Sequence, residues 1–466
     1  MTQSPGTCAY TMPVKRMIIA RTDQKELITL YNQLTEAVNG NITPEMKQIA
    51  SDEGVTPEFI RDEVAAGRIV IATGRFNKKK VVGIGNGLRT KINASIGTSS
   101  DVCDVEHEKR KARIAEQEGA DTLMELSAAG DLDDIRRQVL SVSSLPVGNV
   151  PLYQAFCDTI KKHRDPSKMD PEYLFDLIER QCQDGIGFMA IHCGINLFTI
   201  ERMKKQGYRY GGLCSKGGTL MIQWMMQNNR ENPLYEQFDR VCDILKKYDT
   251  VLSLGNGIRA GAIHDSLDRA QMAELILNCE LAETGRKRGC QTMVEGPGHV
   301  PLDEIEANII LQKKMSGNAP YYMLGPLPTD IGAGMDHITA AIGAAQSSMY
   351  GADLICYITP AEHLALPNEE DVAIGVKTAR LAAHIGDVVK LRGKADQADK
   401  QISKDRRDFR WNRQFSNMLF PEDARAVLES RRSVTKKGCS MCGELCALKN
   451  AAVTLNRFIE GDKINS

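Results

Sequence analysis

Aromatic residues make up only 5% of this 466-residue chain, with two tryptophans, and neither sign of charge is in excess: 59 basic side chains face 60 acidic ones. So few rings leave little platform for stacking single-stranded nucleic acid, and a net charge of −1 gives no pull toward a polyanion. No uninterrupted apolar run is long enough to span a bilayer, and the opening MTQSPGTCAYTMPVKRM lacks the apolar core of a secretory signal. No nucleic-acid or membrane partner is expected, and the expected location is cytoplasmic. The thirteen cysteines are odd in number and scattered, many within apolar stretches such as those around Cys193 and Cys356. They suit buried free thiols in a reducing compartment, and not a disulfide framework.

What is present is an ordinary globular composition, 42% hydrophobic and 26% charged, in a chain long enough for one large catalytic domain and one or two small ones. Residues 1 to about 85 combine helical stretches (QKELITLYNQLTEAV, TPEFIRDEVAAG) with the short strand RIVIATG, and read as a small α/β domain. From 86 to 385 short apolar runs alternate with helical segments. The runs are TLMEL (122–126), VPLYQA (150–155), GFMAIHC (187–193), GGLCS (211–215), TVLSLGNG (250–257), QTMVEGPG (291–298), YYMLGPL (321–327) and LICYIT (354–359). Eight strand-then-helix units predict a (β/α)8 barrel, with a doubly wound open sheet as the rival. A barrel gathers its chemistry where strands end. Tyr153, His192, Ser215, Asn256, Glu295, Tyr322 and His363 stand at or just past such ends. Residues 386–466 read as a charged helical arm ending in a cysteine loop, its basic run a solvated helix face.

Cys439, Cys442 and Cys446 put three thiolate donors within eight residues, close enough for one loop to wrap an iron–sulfur cluster. Zinc sites usually take four ligands, and no further Cys or His follows; a zinc knuckle completed from elsewhere and an unliganded tail are the alternatives. His299 and His363, framed by Gly and Pro and flanked by Glu295 and Glu362, could hold a divalent ion with open positions or could be structural. The loops SKGG (215–218) and NGIRAG (256–261) each carry one cation, Lys216 and Arg259. Together they make a candidate phosphate clamp; singly each is only a turn.

The ordered segments IGTSSD, GDLDDIRR, VGNVPLYQA, IHCG, SKGG, NGIRAG, EGPGHVP, GPLPTDIGAGMDHIT and ITPAEHLALPN resemble the thiamin pyrimidine synthase family over roughly residues 86–450. The resemblance implies radical S-adenosylmethionine chemistry on 5-aminoimidazole ribotide, and a (β/α)8 barrel in a homodimer. The cluster-bearing arm of one subunit would reach the active site of the other. It further implies that Cys439, Cys442 and Cys446 hold a [4Fe-4S] cluster with one iron open to S-adenosylmethionine. His299 and His363 would hold zinc or another divalent metal, and a donor such as flavodoxin or ferredoxin would supply the electron. The implied substrate pocket is Ser95, Met124, Tyr153, His192, Ser215, Lys216, Gly217, Asn256, Gly257, Arg259, Glu295 and Tyr322, with Glu295 and His192 the candidates for catalysis.

Five departures from the family pattern bear on the product. NANIG has become NASIG at Ser95, SRGG has become SKGG at Lys216, DGLRPG has become NGIRAG at Asn256, and APGYDHI has become AGMDHI at Met335. The cysteine spacing is one residue tighter than in many members. Four of these changes are expected on the reaction pocket, while the metal ligands are kept. They favour conversion of the ribotide to 5-hydroxybenzimidazole, the lower ligand of a cobamide, over the pyrimidine of thiamin. Two rivals of other classes are a zinc-dependent lyase or hydrolase with a structural Cys knuckle and a cluster-binding storage or sensor protein.

Overall fold

The structure is a computed structural model describing residues 32–74, 80–431 and 439–451. Most of the expected first helix lies outside the described residues; its end forms a helix at Gln33–Val38. Helices Pro44–Glu53 and Pro57–Ala65 follow, each begun by a Thr cap (Thr43, Thr56) and a proline at the first helical position. They pack on the antiparallel hairpin of β1 (Ile69–Thr73) and β2 (Val81–Gly85) around Met46, Ile49, Ile60 and Val64.

Eight parallel strands then close into a barrel: β3 (Lys91–Ile96), β4 (Thr122–Glu125), β5 (Val147–Asn149), β6 (Phe188–Ile191), β7 (Val251–Leu254), β8 (Thr292–Glu295), β9 (Tyr321–Met323) and β10 (Leu354–Cys356). β10 pairs back onto β3 with Leu354 opposite Lys91, so the sheet has no free edge and the open-sheet rival is excluded. The strands are three to six residues long and almost wholly buried, because helices cover the outside and side chains fill the inside.

The eight expected runs name the barrel with two errors. GGLCS (211–215) is no barrel strand; it is a loop whose Leu213 makes one isolated antiparallel bridge to Ala260. VPLYQA (150–155) opens the helix Pro151–His163, and the strand is the three residues before it. The missed strand is β3, KINASI. Its Ile92, Ala94 and Ile96 alternate with Lys91, Asn93 and Ser95, so it does not read as an apolar run.

Lys91 carries a buried ammonium 2.8 Å from Glu53, which ties the helix Pro44–Glu53 to the base of the barrel. Arg89 lies 3.5 Å from the same carboxylate and also pairs with Asp121. Replacing Glu53 by Gln removes the carboxylate that Lys91 contacts and leaves Asp121 as the counter-charge shared by Lys91 and Arg89. Urea unfolding should show a loss of about 2–3 kcal/mol, and an unchanged midpoint would refute the tie.

At the far end, helix Glu369–Lys390 closes the barrel wall beside helix Asp336–Tyr350. The arm follows as helices Gln397–Arg407, Trp411–Phe415 and Pro421–Ser430, held to the wall by Lys377–Asp423 at 2.7 Å.

Candidate active site

A cavity of about 540 Å³ opens at the C-terminal ends of the strands. Ser95, Met124, Tyr153, His192, Lys216, Arg259, Glu295, Tyr322, His299 and His363 all line it. Ser215, Gly217, Asn256 and Gly257 lie in the layer behind, where they shape the backbone that presents Lys216 and Arg259. Met335 does not belong to this set: it is 59% exposed and off the cavity wall, next to Asp336. The expectation that it faces the reaction pocket is thereby corrected.

Two loops bring the cations together. Ser215 caps the helix Lys216–Asn228 by accepting from Gly218 N, and Lys216 at its first position lies 4.8 Å over the ring of Tyr153. Arg259 donates to the Asn256 carbonyl at 2.9 Å and to the Cys214 carbonyl at 3.3 Å, so its guanidinium spans both loops. A Cβ on Gly217 would fall 2.6 Å from His192 Cε1; only glycine lets the helix start this close to the ring.

His192 is buried and lies 3.1 Å from Ser215 Oγ through Nε2. Ser215 Oγ also accepts the Gly218 amide, and with a second lone pair and its own hydrogen it can pair with either tautomer of the ring. Nδ1, on the other side of the ring, is buried and has no partner within the protein. Burial, reinforced by Arg259, pulls the ring's pKa down to about 3, so His192 is neutral and offers one donor and one acceptor nitrogen.

Glu295 ends β8 fully enclosed. It accepts from Ser253 Oγ at 2.8 Å and from Asn256 N at 3.3 Å, and burial raises its pKa above the ordinary carboxyl value against the pull of these bonds and of Arg259. It is a carboxyl that keeps a proton unusually well, beside a half-buried cation.

His299 and His363 stand with ring centroids 5.5 Å apart. His299 Nδ1 is 2.7 Å from Asp330 Oδ1 and His363 Nδ1 is 3.1 Å from Asp336 Oδ2. Each aspartate takes a ring N–H and leaves Nε2 as a lone pair, the arrangement a metal-binding imidazole needs. His363 holds a left-handed backbone (φ 62°), uncommon for a side-chain-bearing residue. The pair fits a divalent ion with open positions.

The sequence matches the Radical SAM ThiC family over residues 32–452. The chain belongs to this family. It is 64% identical over 435 residues, 93% of its length and all of the relative's, to a 5-hydroxybenzimidazole synthase of Geobacter sulfurreducens. A 5-hydroxybenzimidazole synthase of Desulfuromonas acetoxidans is 63% identical over 93% of this chain and all of its own. Phosphomethylpyrimidine synthase 2 of Methanosarcina acetivorans is 55% identical over 89% of this chain and 96% of its own.

As a radical S-adenosylmethionine enzyme of this family, the protein uses S-adenosylmethionine and a [4Fe-4S] cluster. The donor chemistry for a cluster is present: Cys439 and Cys442 are exposed, Cys446 is half-buried, and a turn at Gly443–Leu445 spaces the last two. Among the described residues no three His, Cys, Asp or Glu side chains are gathered into a metal ligand set, and none of these thiols lines the cavity.

Three groups were missed by sequence reasoning. Cys356, read as a buried free thiol, lines the cavity at the end of β10, its sulfur 3.3 Å from Ser95 Oγ. Cys214 lines it from the loop after the bridge to Ala260. Asn93 sits beneath them, donating to Tyr322 OH at 2.9 Å and accepting from Thr122 Oγ1 at 2.8 Å. The available signal was position, since Cys356 closes a strand at the face where barrels carry their chemistry.

Proposed function

We propose that this enzyme converts 5-aminoimidazole ribotide to 5-hydroxybenzimidazole, the lower ligand of a cobamide. The carrying observation is the full-length 64% match to relatives bearing that name, against 55% for those named for the pyrimidine. The cavity floor supports it: Ser95, at the position where the pyrimidine enzymes resembled here carry Asn, rests its short hydroxyl against the Cys356 thiol. Phosphomethylpyrimidine synthesis from the same substrate is the second reading.

When bound, the cluster supplies the electron that cleaves S-adenosylmethionine and so starts radical chemistry on the ribose. The chain's own residues do the rest. Lys216, Arg259 and the amides opening the helix Lys216–Asn228 hold the phosphate. His192 pairs with the substrate through its free Nδ1, Glu295 holds or moves a proton beside the imidazole, and the buried floor of Asn93, Ser95, Tyr322 and Cys356 excludes water.

Three further parts belong to this reading. His299 and His363 hold zinc or another divalent ion through Nε2. The protein is a homodimer in which the cysteine loop serves the partner's cavity, which agrees with its absence from the wall of its own. A small electron carrier such as flavodoxin or ferredoxin reduces the cluster. The exposed stripe Ile331, Met335, Ile338 and Ile342 beside the cavity mouth is a face that a second copy would cover.

Mass spectrometry of products from reconstituted protein, the ribotide, S-adenosylmethionine and a reductant tests the proposal. 5-Hydroxybenzimidazole is expected, and a phosphorylated hydroxymethylpyrimidine would replace it with the second reading. Ser95→Asn should cut 5-hydroxybenzimidazole formation about tenfold or more, because two extra heavy atoms meet Cys356 and Tyr322 and shift the bound ring. Unchanged product yield in that variant would remove Ser95 from the specificity argument.

A further inference from the structure

The loop Gly255–Ala260, which carries Asn256 and Arg259, has backbone pairing only at its ends, Gly255 N to the Ile191 carbonyl and Ala260 bridged to Leu213, and between them its backbone is held mainly by side chains. Asn278 donates to the Gly255 carbonyl at 3.1 Å, and Gln271 accepts from Ala260 N at 3.4 Å. Between them, Glu274 accepts from both Gly257 N and Ile258 N, each at 2.7 Å. Gln271, Glu274 and Asn278 fall on one face of the helix Arg269–Lys287, outside the barrel wall. Arg209 reaches the Ile258 carbonyl at 2.8 Å and is itself clamped by Asp268 at 2.7 Å.

Glu274 is wholly buried, and its two recorded hydrogen-bond partners are backbone amides. A leucine there would satisfy packing alone; a buried carboxylate is costly, and what it gains is two amides pointed in fixed directions. We infer that Glu274 is a positioning residue: from behind the wall it grips the backbone of Gly257 and Ile258 and so sets where Arg259 stands in the cavity. The inference rests on the proposed reading only for which ligand the loop meets.

The grip is sensitive to protons. Burial, opposed by the two amides and by Arg259 and Arg209, pushes the carboxyl up to about 7. The charged groups acting on it are Arg259 on the loop and Arg209, itself paired with Asp268; His192 from the end of β6 is neutral. Protonation turns one accepting oxygen into a hydroxyl, a weaker acceptor that carries its own hydrogen, so one of the two amide bonds is weakened. The loop is held in full above the neutral range and loosened below it.

Hydrogen–deuterium exchange of the full-length protein decides this, read on the peptide over residues 253–262 and corrected for intrinsic exchange. In the wild type, protection should rise about fivefold from about pH 6 to about pH 8. Glu274→Gln keeps the shape but sets an NH2 against an amide; it should exchange at the fast level at both pH values while melting no lower than wild type at about pH 8. Glu274→Asp keeps the charge one methylene short and should be loosened likewise. In turnover, KM for the ribotide should rise about tenfold in Glu274→Gln with kcat changed less, and the rise of kcat/KM through neutral pH should vanish. Wild-type exchange in both variants would overturn the clamp. If the ribotide is not the substrate, no protein turns it over and the exchange result still decides.

Discussion

Replacing Cys442 by alanine should lower 5′-deoxyadenosine formation from S-adenosylmethionine at least about a thousandfold, with iron and sulfide content falling in parallel. The size of the effect follows from ligand number. Three thiolates on a four-iron cluster leave one iron open; two leave the cluster without enough protein bonds to persist. The same change should leave the unfolding midpoint nearly unmoved, because the Cys442 side chain is exposed and lines no core. Full retention of 5′-deoxyadenosine formation would defeat the cluster assignment, and a collapse of the barrel would mean the loop has a structural role that its exposure does not suggest.

The barrel and the catalytic end of each strand were legible because parallel strands buried on both faces advertise themselves as short apolar runs ending in Gly, His or Glu. Where that physics is suspended, the reading fails. β3 hides because its inward face is polar: Lys91 pairs with Glu53 at the base, while Asn93 and Ser95 build the cavity floor. GGLCS imitates a strand, yet apart from the bridge at Leu213 it has no ladder, and its entry is held by a side chain, with Asp265 accepting from Tyr210 N and Gly211 N at 2.9 and 2.7 Å. The His pair could be named from its Gly and Pro framing. Their partners Asp330 and Asp336 could not, because nothing local marks a carboxylate 31 or 27 residues away in sequence as a hydrogen-bond partner. Glu295 could be named because it closes an apolar strand, whereas Glu274 is one charge on a long helix, and only the fold shows that it grips the loop behind the cavity.

Glu295→Gln should reduce kcat/KM by about a hundredfold or more, the usual scale for removing a positioned proton-transfer group. Glutamine can still accept from Ser253 Oγ, so the loss isolates the titrating proton from the packing. Stability should move the other way. A carboxyl whose folded pKa is raised binds protons more tightly folded than unfolded, so its contribution is full below the unfolded value, near 4.5, and declines as pH rises toward the raised one. At about pH 8 the neutral amide escapes that penalty, and Glu295→Gln should melt at or above the wild type. A variant both inactive and less stable would point to a structural carboxylate instead. Mixing the two variants separates the subunit contributions. In a heterodimer of Cys442→Ala and Glu295→Gln, one subunit keeps an intact loop and the other an intact barrel. Activity returning to about half the wild-type level per dimer requires the loop to work on its partner, whereas a loop serving its own barrel leaves both sites dead.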